Sequence, residues 1–201
     1  MQLIKKNRNL WVFFAGYFLV YGTLLSFGST VNLALRPYGF KDVQIAMFAL
    51  VLIVSGVIGS IAWSIFLEKT NRYKFTIRAL TTISMGIMVA ICIALNTGAH
   101  PAMVFVLGGL IGLNITPLLP VSYDLGCELC FPIGEAQVTG ILNGGAMILT
   151  FLCTLLVTST IGYGTSKKSL FVIIAYITIM GLGTVFYYFV KIDLKRRKAE
   201  Q

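Results

Sequence analysis

The stretch Ala79–Tyr123, A-L-T-T-I-S-M-G-I-M-V-A-I-C-I-A-L-N-T-G-A-H-P-A-M-V-F-V-L-G-G-L-I-G-L-N-I-T-P-L-L-P-V-S-Y, contains no Asp, Glu, Lys or Arg. A helix needs about 20 apolar residues to cross roughly 30 Å of hydrocarbon, so this run is long enough to cross twice. Its centre, N-T-G-A-H-P (Asn96 to Pro101), supplies the turn between two crossings. The segment reads as a helical membrane hairpin. Charge-free runs at Asn9 to Leu35, Val43 to Leu67, Ala136 to Ser166 and Ser169 to Val190 extend the pattern in both directions. The spacing predicts six transmembrane helices: Leu10 to Leu33, Val43 to Leu67, Phe75 to Leu95, Ala102 to Ser122, Ala136 to Ile161 and Leu170 to Val190. A barrel would need alternating strands of about ten residues, which these runs are not.

Composition agrees. With 57% hydrophobic and 11% charged residues, the chain falls far from soluble domains, where about a quarter of residues are charged. The net charge of +9 raises nucleic acid as a partner, but its placement argues for membrane topology and against nucleic-acid binding. Six spans bring both termini to one face. That face holds Lys5, Lys6, Arg8, Lys69, Arg72, Lys74, Arg78, Lys191, Lys195, Arg196, Arg197 and Lys198, whereas the other holds Arg36, Lys41, Lys167 and Lys168. The positive-inside rule then makes both termini cytoplasmic. The tail K-I-D-L-K-R-R-K reads as an orientation signal that also meets anionic headgroups. No cleavable signal peptide is expected, because the first apolar run is too long and lacks a small-residue cleavage site before Arg36.

Polar residues are unevenly shared among the spans. The third and sixth carry little beyond Thr and Ser, as lipid-facing helices should; the first, fourth and fifth carry Tyr17, Tyr21, Asn32, Asn114, Thr116 and Asn143. Carriers are often built from inverted three-helix repeats, which here would be residues 10–95 and 96–190, between a short N-terminal segment (1–9) and the basic tail (191–201). Counting about 1.5 Å per residue places Tyr21, Asn114, Asn143 and Met147 level with one another at mid-membrane, with Tyr17 slightly inward. Small residues at Ser55, Gly56, Gly59, Ser60, Gly108, Gly112, Gly181 and Gly183 are expected to let helices approach closely. The sequon Asn114-Ile115-Thr116 lies inside a span and should be unmodified.

Three of seven acidic residues, Asp124, Glu128 and Glu135, fall in P-V-S-Y-D-L-G-C-E-L-C-F-P-I-G-E-A-Q. Depth counting puts them at the cytoplasmic rim. Asp124 and Glu128 share a face if the helix continues, and Pro132 should end it before Glu135. They are either solvated loop acids or an inner gate that pairs with Arg72, Lys74 or Arg78, or equally with basic residues on another half of a transporter. Cys127 and Cys130 form a C-x-x-C with no second pair and no nearby His, so no metal site or cofactor is expected. His100, the single histidine, sits in an outer turn, and no hydrolase, Walker or dinucleotide motif occurs; an enzyme is not expected.

At several of these segments the chain resembles the C-terminal half of the feline leukaemia virus subgroup C receptor family (solute carrier family 49) of the major facilitator superfamily. The resemblance rests on V-S-G-V-I-G-S (Val54 to Ser60), F-L-E-K-T-N-R-Y-K (Phe66 to Lys74), G-G-L-I-G (Gly108 to Gly112), the E-L-x-x-P-x-x-E element from Glu128 to Glu135, G-I-L-N (Gly140 to Asn143) and V-K-I-D-L-K-R-R (Val190 to Arg197). It implies an all-α membrane protein whose six transmembrane helices form one half, two inverted three-helix repeats, of a major facilitator fold. It also implies transport by alternating access of a small organic solute, choline- or ethanolamine-like or heme-related. Known choline carriers cage the quaternary ammonium with aromatics and use a glutamine four residues after the G-x-L-N asparagine; here that position is Met147, which puts choline in doubt. Tyr17, Tyr21, Asn114, Asn143 and Met147 are the expected solute-binding residues, and Glu68, Arg72, Asp124, Glu128 and Glu135 the expected gate. The expected partners are the lipid bilayer, the solute, and a missing N-terminal six-helix half or a second copy of this chain. The chain is expected to be a piece of a longer carrier, or else a half-carrier, and alone would expose its polar first, fourth and fifth spans. The alternative is a truncated, non-transporting membrane component that associates with or regulates a full-length carrier.

Overall fold

The computed structural model describes residues 8–70, 72–98, 100–130, 133–161 and 166–190, without the side chains of residues 8, 161, 166 and 167. The expectations for Lys5, Lys6, Pro132 and the basic tail from Lys191 lie outside the described residues. Six helices long and apolar enough to cross a membrane make up the described chain. They are α1 (Arg8–Leu35), α2 (Asp42–Thr70), α3 (Tyr73–Asn96), α4 (Pro101–Ile115) with α5 (Leu118–Cys130), α6 (Glu135–Ile161) and α7 (Ser166–Phe189). Helices dominate because hydrocarbon offers the backbone no hydrogen-bond partner, so each span must satisfy its own N–H and C=O groups.

The turns follow from local chemistry. Arg36–Tyr38 form a 3-10 turn that closes on Gly39 at φ 85°, a left-handed conformation that glycine adopts without strain. Gly98, at φ 65°, does the same in the turn predicted after α3. His100 then caps α4: its Nδ1 accepts a hydrogen bond from the Ala102 N–H at 3.3 Å, and Pro101 begins the helix.

The fourth span departs from its predicted form. It breaks into α4 and α5 at Thr116-Pro117, and it runs to Cys130 instead of stopping near Ser122. Proline has no N–H to give the carbonyl four residues back, which here belongs to Leu113. That carbonyl packs against Gly59 of α2, where any side chain would collide with it. The break and the glycine are two sides of one contact.

Packing follows the exchange expected of two inverted repeats. The first span packs on the fifth (α1 on α6), as the second packs on the fourth (α2 on α4). The first packs on the sixth (α1 on α7), as the fourth packs on the third (α4 on α3), and α3 against α7 maps onto itself. An odd number of spans per repeat reverses the second repeat across the membrane. The chain is thus an integral multi-pass membrane protein with the six-helix architecture of half a major facilitator fold.

Small residues make the close contacts. A side chain at Gly56 would meet Thr116, at Gly108 the Phe48 ring, at Gly112 the Leu52 carbonyl and Ser55, and at Gly145 the Phe18 ring. Without a hydrophobic drive between helices in lipid, such close approach supplies the van der Waals attraction that holds them. Hydroxyls add the rest. Tyr176 of α7 bonds Ser26 at 2.8 Å and Thr30 at 2.9 Å; Ser26 also bonds Thr154 of α6 at 3.0 Å. Ser169 donates to the Ala34 carbonyl at 2.7 Å, and Thr150 to the Gly22 carbonyl at 3.1 Å.

The expectation of exposed polar spans holds for the fifth and fails for the first. The polar first span is the most buried of the six, because its hydroxyls bond inward to α6 and α7. The least buried spans are the second and fifth. The reason is connectivity. α2 leans mainly on α4 and α6 mainly on α1, whereas α3 and α7 each pack against two neighbours.

Candidate functional site

Two cavities among the described residues concern the candidate site. The first, about 390 Å³ and partly open, is lined by Tyr21, Leu24, Gly28 and Ser29 of α1, Phe48 and Leu52 of α2, and Thr116 at the break in the fourth span. It is mainly apolar with a few hydroxyls, and its volume falls within the range of small-molecule sites, about 300–1,000 Å³. Gly28 shapes it: no atom lies within 4 Å of where its side chain would project. Tyr21 reaches the cavity from a stack on Tyr17, with ring centroids 5.1 Å apart and planes 19° apart. Tyr17 itself is fully buried beneath it.

The expected solute-binding residues do not all meet there. Tyr21 lines the cavity and Tyr17 supports it. Asn114 is half-buried next to Ile115 and Thr116, and its amide donates to the Leu110 carbonyl at 2.8 Å within its own helix. Asn143 and Met147 lie on the exposed side of α6 and do not line this cavity. Sequence reasoning passed over Gly28, Ser29 and Phe48. The adjacent glycine and serine on an otherwise bulky helix were the available signal.

The second cavity, about 210 Å³ and mainly polar, lies at the face that carries the termini. Asp124, Cys127 and Glu128 of α5 line it with Tyr123, together with Glu135 and Thr139 of α6 and Tyr73 of α3. The fold thus gathers the three acids that the sequence clusters. They converge because α5 continues past Ser122, presenting Asp124 and Glu128 one turn apart, and α6 starts at Glu135 facing them. Glu68, at the end of α2, is exposed and within electrostatic reach of Asp124.

The expected cationic partners are elsewhere. Arg72 and Lys74 are exposed and do not line the cavity. Arg78 turns to α7, donating to the Tyr188 carbonyl at 2.6 Å and lying 4.9 Å from the centre of the Tyr188 ring. Among the described residues the ion pair within 4.0 Å is Arg36–Asp42, exposed on the opposite face. A surface pair of this kind contributes at most about 1 kcal/mol. Glu128 keeps one buried carboxylate oxygen without a hydrogen-bond partner. The lining thus gathers three carboxyl groups, and a field of carboxylates concentrates cations. Among the described residues no group of three His, Cys, Asp or Glu is arranged to hold a metal ion.

No family model matches the chain. Individual relatives do. It is 28% identical over 197 residues to the choline/ethanolamine transporter flvcr2a of Danio rerio, covering 97% of this chain and 41% of that protein. It is 27% identical to the choline/ethanolamine transporter FLVCR2 of Homo sapiens, covering 98% of this chain and 37% of that protein. It is 26% identical to an uncharacterized MFS-type transporter of Caenorhabditis elegans, C09D4.1, over 99% of this chain and 33% of that protein. The chain thus spans at most about two-fifths of the length of these relatives. Fold and similarity together define a multi-pass membrane protein of the major facilitator kind. Within that class, the chain is a relative of the feline leukaemia virus subgroup C receptor carriers along nearly its whole length, as its E-L-x-x-P-x-x-E and G-x-L-N elements led one to expect.

Proposed function

We propose that this chain is half of a secondary carrier that moves a small organic solute across a membrane by alternating access. The observation that carries the reading is the pairing of two cavities along the fourth span. One is a mid-span chamber under Tyr21; the other is a carboxylate cavity at the face that carries the termini. In this reading the solute rests against Tyr21, with Tyr17, Asn114, Asn143 and Met147 completing its surroundings once a second six-helix unit closes the site. Asp124, Glu128 and Glu135, with Glu68 and Arg72 at the rim, form the gate on what the charge bias makes the cytoplasmic side.

A cationic or amphipathic solute suits these groups. Converging carboxylates attract an ammonium, and a tyrosine face binds one through cation–π attraction worth about 0.5–2 kcal/mol. The names of the relatives, choline/ethanolamine transporters, support the same class. Met147 offers polarizable bulk but no amide hydrogen bond, so the solute it meets is held less by polar contacts.

Gly140, Asn143 and Gly144 on the open side of α6 support pairing with a second six-helix unit, covalently continuous or separate, because small and polar residues let helices approach and bond within a membrane. Replacing Tyr21 and Asn143 together with Leu, in the longest form of the protein, is expected to abolish uptake without loss of expression. Normal uptake by that variant would refute the chamber. Co-purification with a full-length carrier, and no effect on any solute flux, would instead favour a regulatory membrane component.

A further inference from the structure

Arg78 follows Tyr73, the first residue of α3, by five positions, about 8 Å along the helix. An ionised side chain facing lipid at this level is costly unless another charge or the headgroup layer receives it. Among the described residues no carboxylate does so: the ion pair within 4.0 Å is Arg36–Asp42, on the opposite face. The guanidinium is instead held in place by α7. Its Nη2 donates to the Tyr188 carbonyl at 2.6 Å, its centre lies 4.9 Å from the centre of that tyrosine ring, and its Nε is buried. These contacts fix the group and occupy one of its five N–H donors, but they supply no anion.

The surroundings match a lipid headgroup and its chain. Lys74 lies one turn before Arg78 on the same face of α3 and is exposed. Thr82, one turn after it, shares a hydrogen bond with the Tyr188 hydroxyl at 3.2 Å. Gly86, a further turn on, has no atom within 4 Å of where a side chain would project, and on α7 a side chain at Gly181 would meet only the tip of Met85. The seam between α3 and α7 thus runs from two cations, through two hydroxyls, to bare small residues. A phospholipid has the same order, from phosphate to acyl chain. Tyr188, half exposed at the end of α7, stands where aromatic residues meet the headgroup layer.

We propose that Lys74 and Arg78 bind the phosphate of an anionic phospholipid, from the leaflet at the face that carries the termini, with its acyl chain along the α3–α7 seam. Arg78 is the fixed partner: a planar donor already positioned by Tyr188 loses little freedom on binding. Lys74 adds a second charge on a flexible stem, and each cation of this kind strengthens attachment to anionic lipid. The bound lipid supplies the anion that Arg78 lacks and joins the ends of α3 and α7 from outside. The site does not depend on which solute is carried.

Native mass spectrometry of the full chain in detergent, with phosphatidylglycerol or phosphatidylcholine added, tests the site. The unaltered chain is expected to retain one phosphatidylglycerol molecule more tightly than phosphatidylcholine. Lys74→Gln combined with Arg78→Gln should weaken that retention on the order of ten- to thirtyfold and leave phosphatidylcholine binding unchanged. Lys74→Gln alone should weaken it several-fold; Lys74 is exposed, so this variant keeps the helix packing even if the double variant does not fold. Unchanged phosphatidylglycerol retention in either variant would overturn the proposal. Displacement of the lipid by inorganic phosphate alone would overturn it too, since the site would then hold free anions.

Discussion

Gly28 and Gly59 show how differently one residue type is used. A methyl group at Gly59 would strike the backbone of Leu113, which cannot rotate away. Gly59→Ala is therefore expected to destabilise the chain by about 1–3 kcal/mol, measured as thermal or denaturant unfolding in detergent. Gly28 borders open space, and Ala is the better helix former by about 0.8–1 kcal/mol, so Gly28→Ala should leave stability unchanged or raise it. If the chamber holds solute, the same variant should weaken uptake. Tyr176→Phe removes two interhelical hydrogen bonds and should cost about 0.6–1.7 kcal/mol, the range found for such bonds within membranes. The close approach at Gly59 was legible in the small-residue spacing, whereas the cavity at Gly28 was not.

Among the elements, the fourth span has most to say about mechanism. Its break at Thr116-Pro117 borders the chamber, while its second piece, α5, carries Asp124 and Glu128 into the other cavity. A single element thus joins both ends of the proposed transport path. Pro117→Ala would restore the lost backbone hydrogen bond to Leu113, and an interior proline costs a helix about 3 kcal/mol or more. The variant is expected to keep or gain thermal stability while losing uptake, if bending at this point accompanies gating. Equal uptake in the variant would argue against a hinge. The presence of a span here was readable from its apolar length, whereas its extension to Cys130 was hidden by two carboxylates that ordinarily mark a helix leaving the membrane.

For the whole molecule, six spans bring the start of α1 and the end of α7 to one face, the face to which the charge pattern of the sequence assigns twelve of the sixteen Lys and Arg residues. Tags at the two termini are expected to be protected together and exposed together, with protease reaching both only from the cytoplasmic side. Asp124→Asn with Glu128→Gln should reduce uptake of a cationic solute much more than of a neutral one, because the carboxylate field acts on charge. The sequence by itself determined the number of spans and the family resemblance. Membrane-crossing length and charge bias are written along the chain, because hydrocarbon sets the length and excludes the charge. Only the tertiary structure decided that the polar first span is the most buried, that the acids share a cavity with Tyr73 and Thr139, and that Tyr21 shares one with Phe48 and Thr116. Those facts depend on how each helix is rotated about its axis. A span that is apolar all round carries no periodic signal of its rotation; the orientation is settled by which small residues of two helices meet.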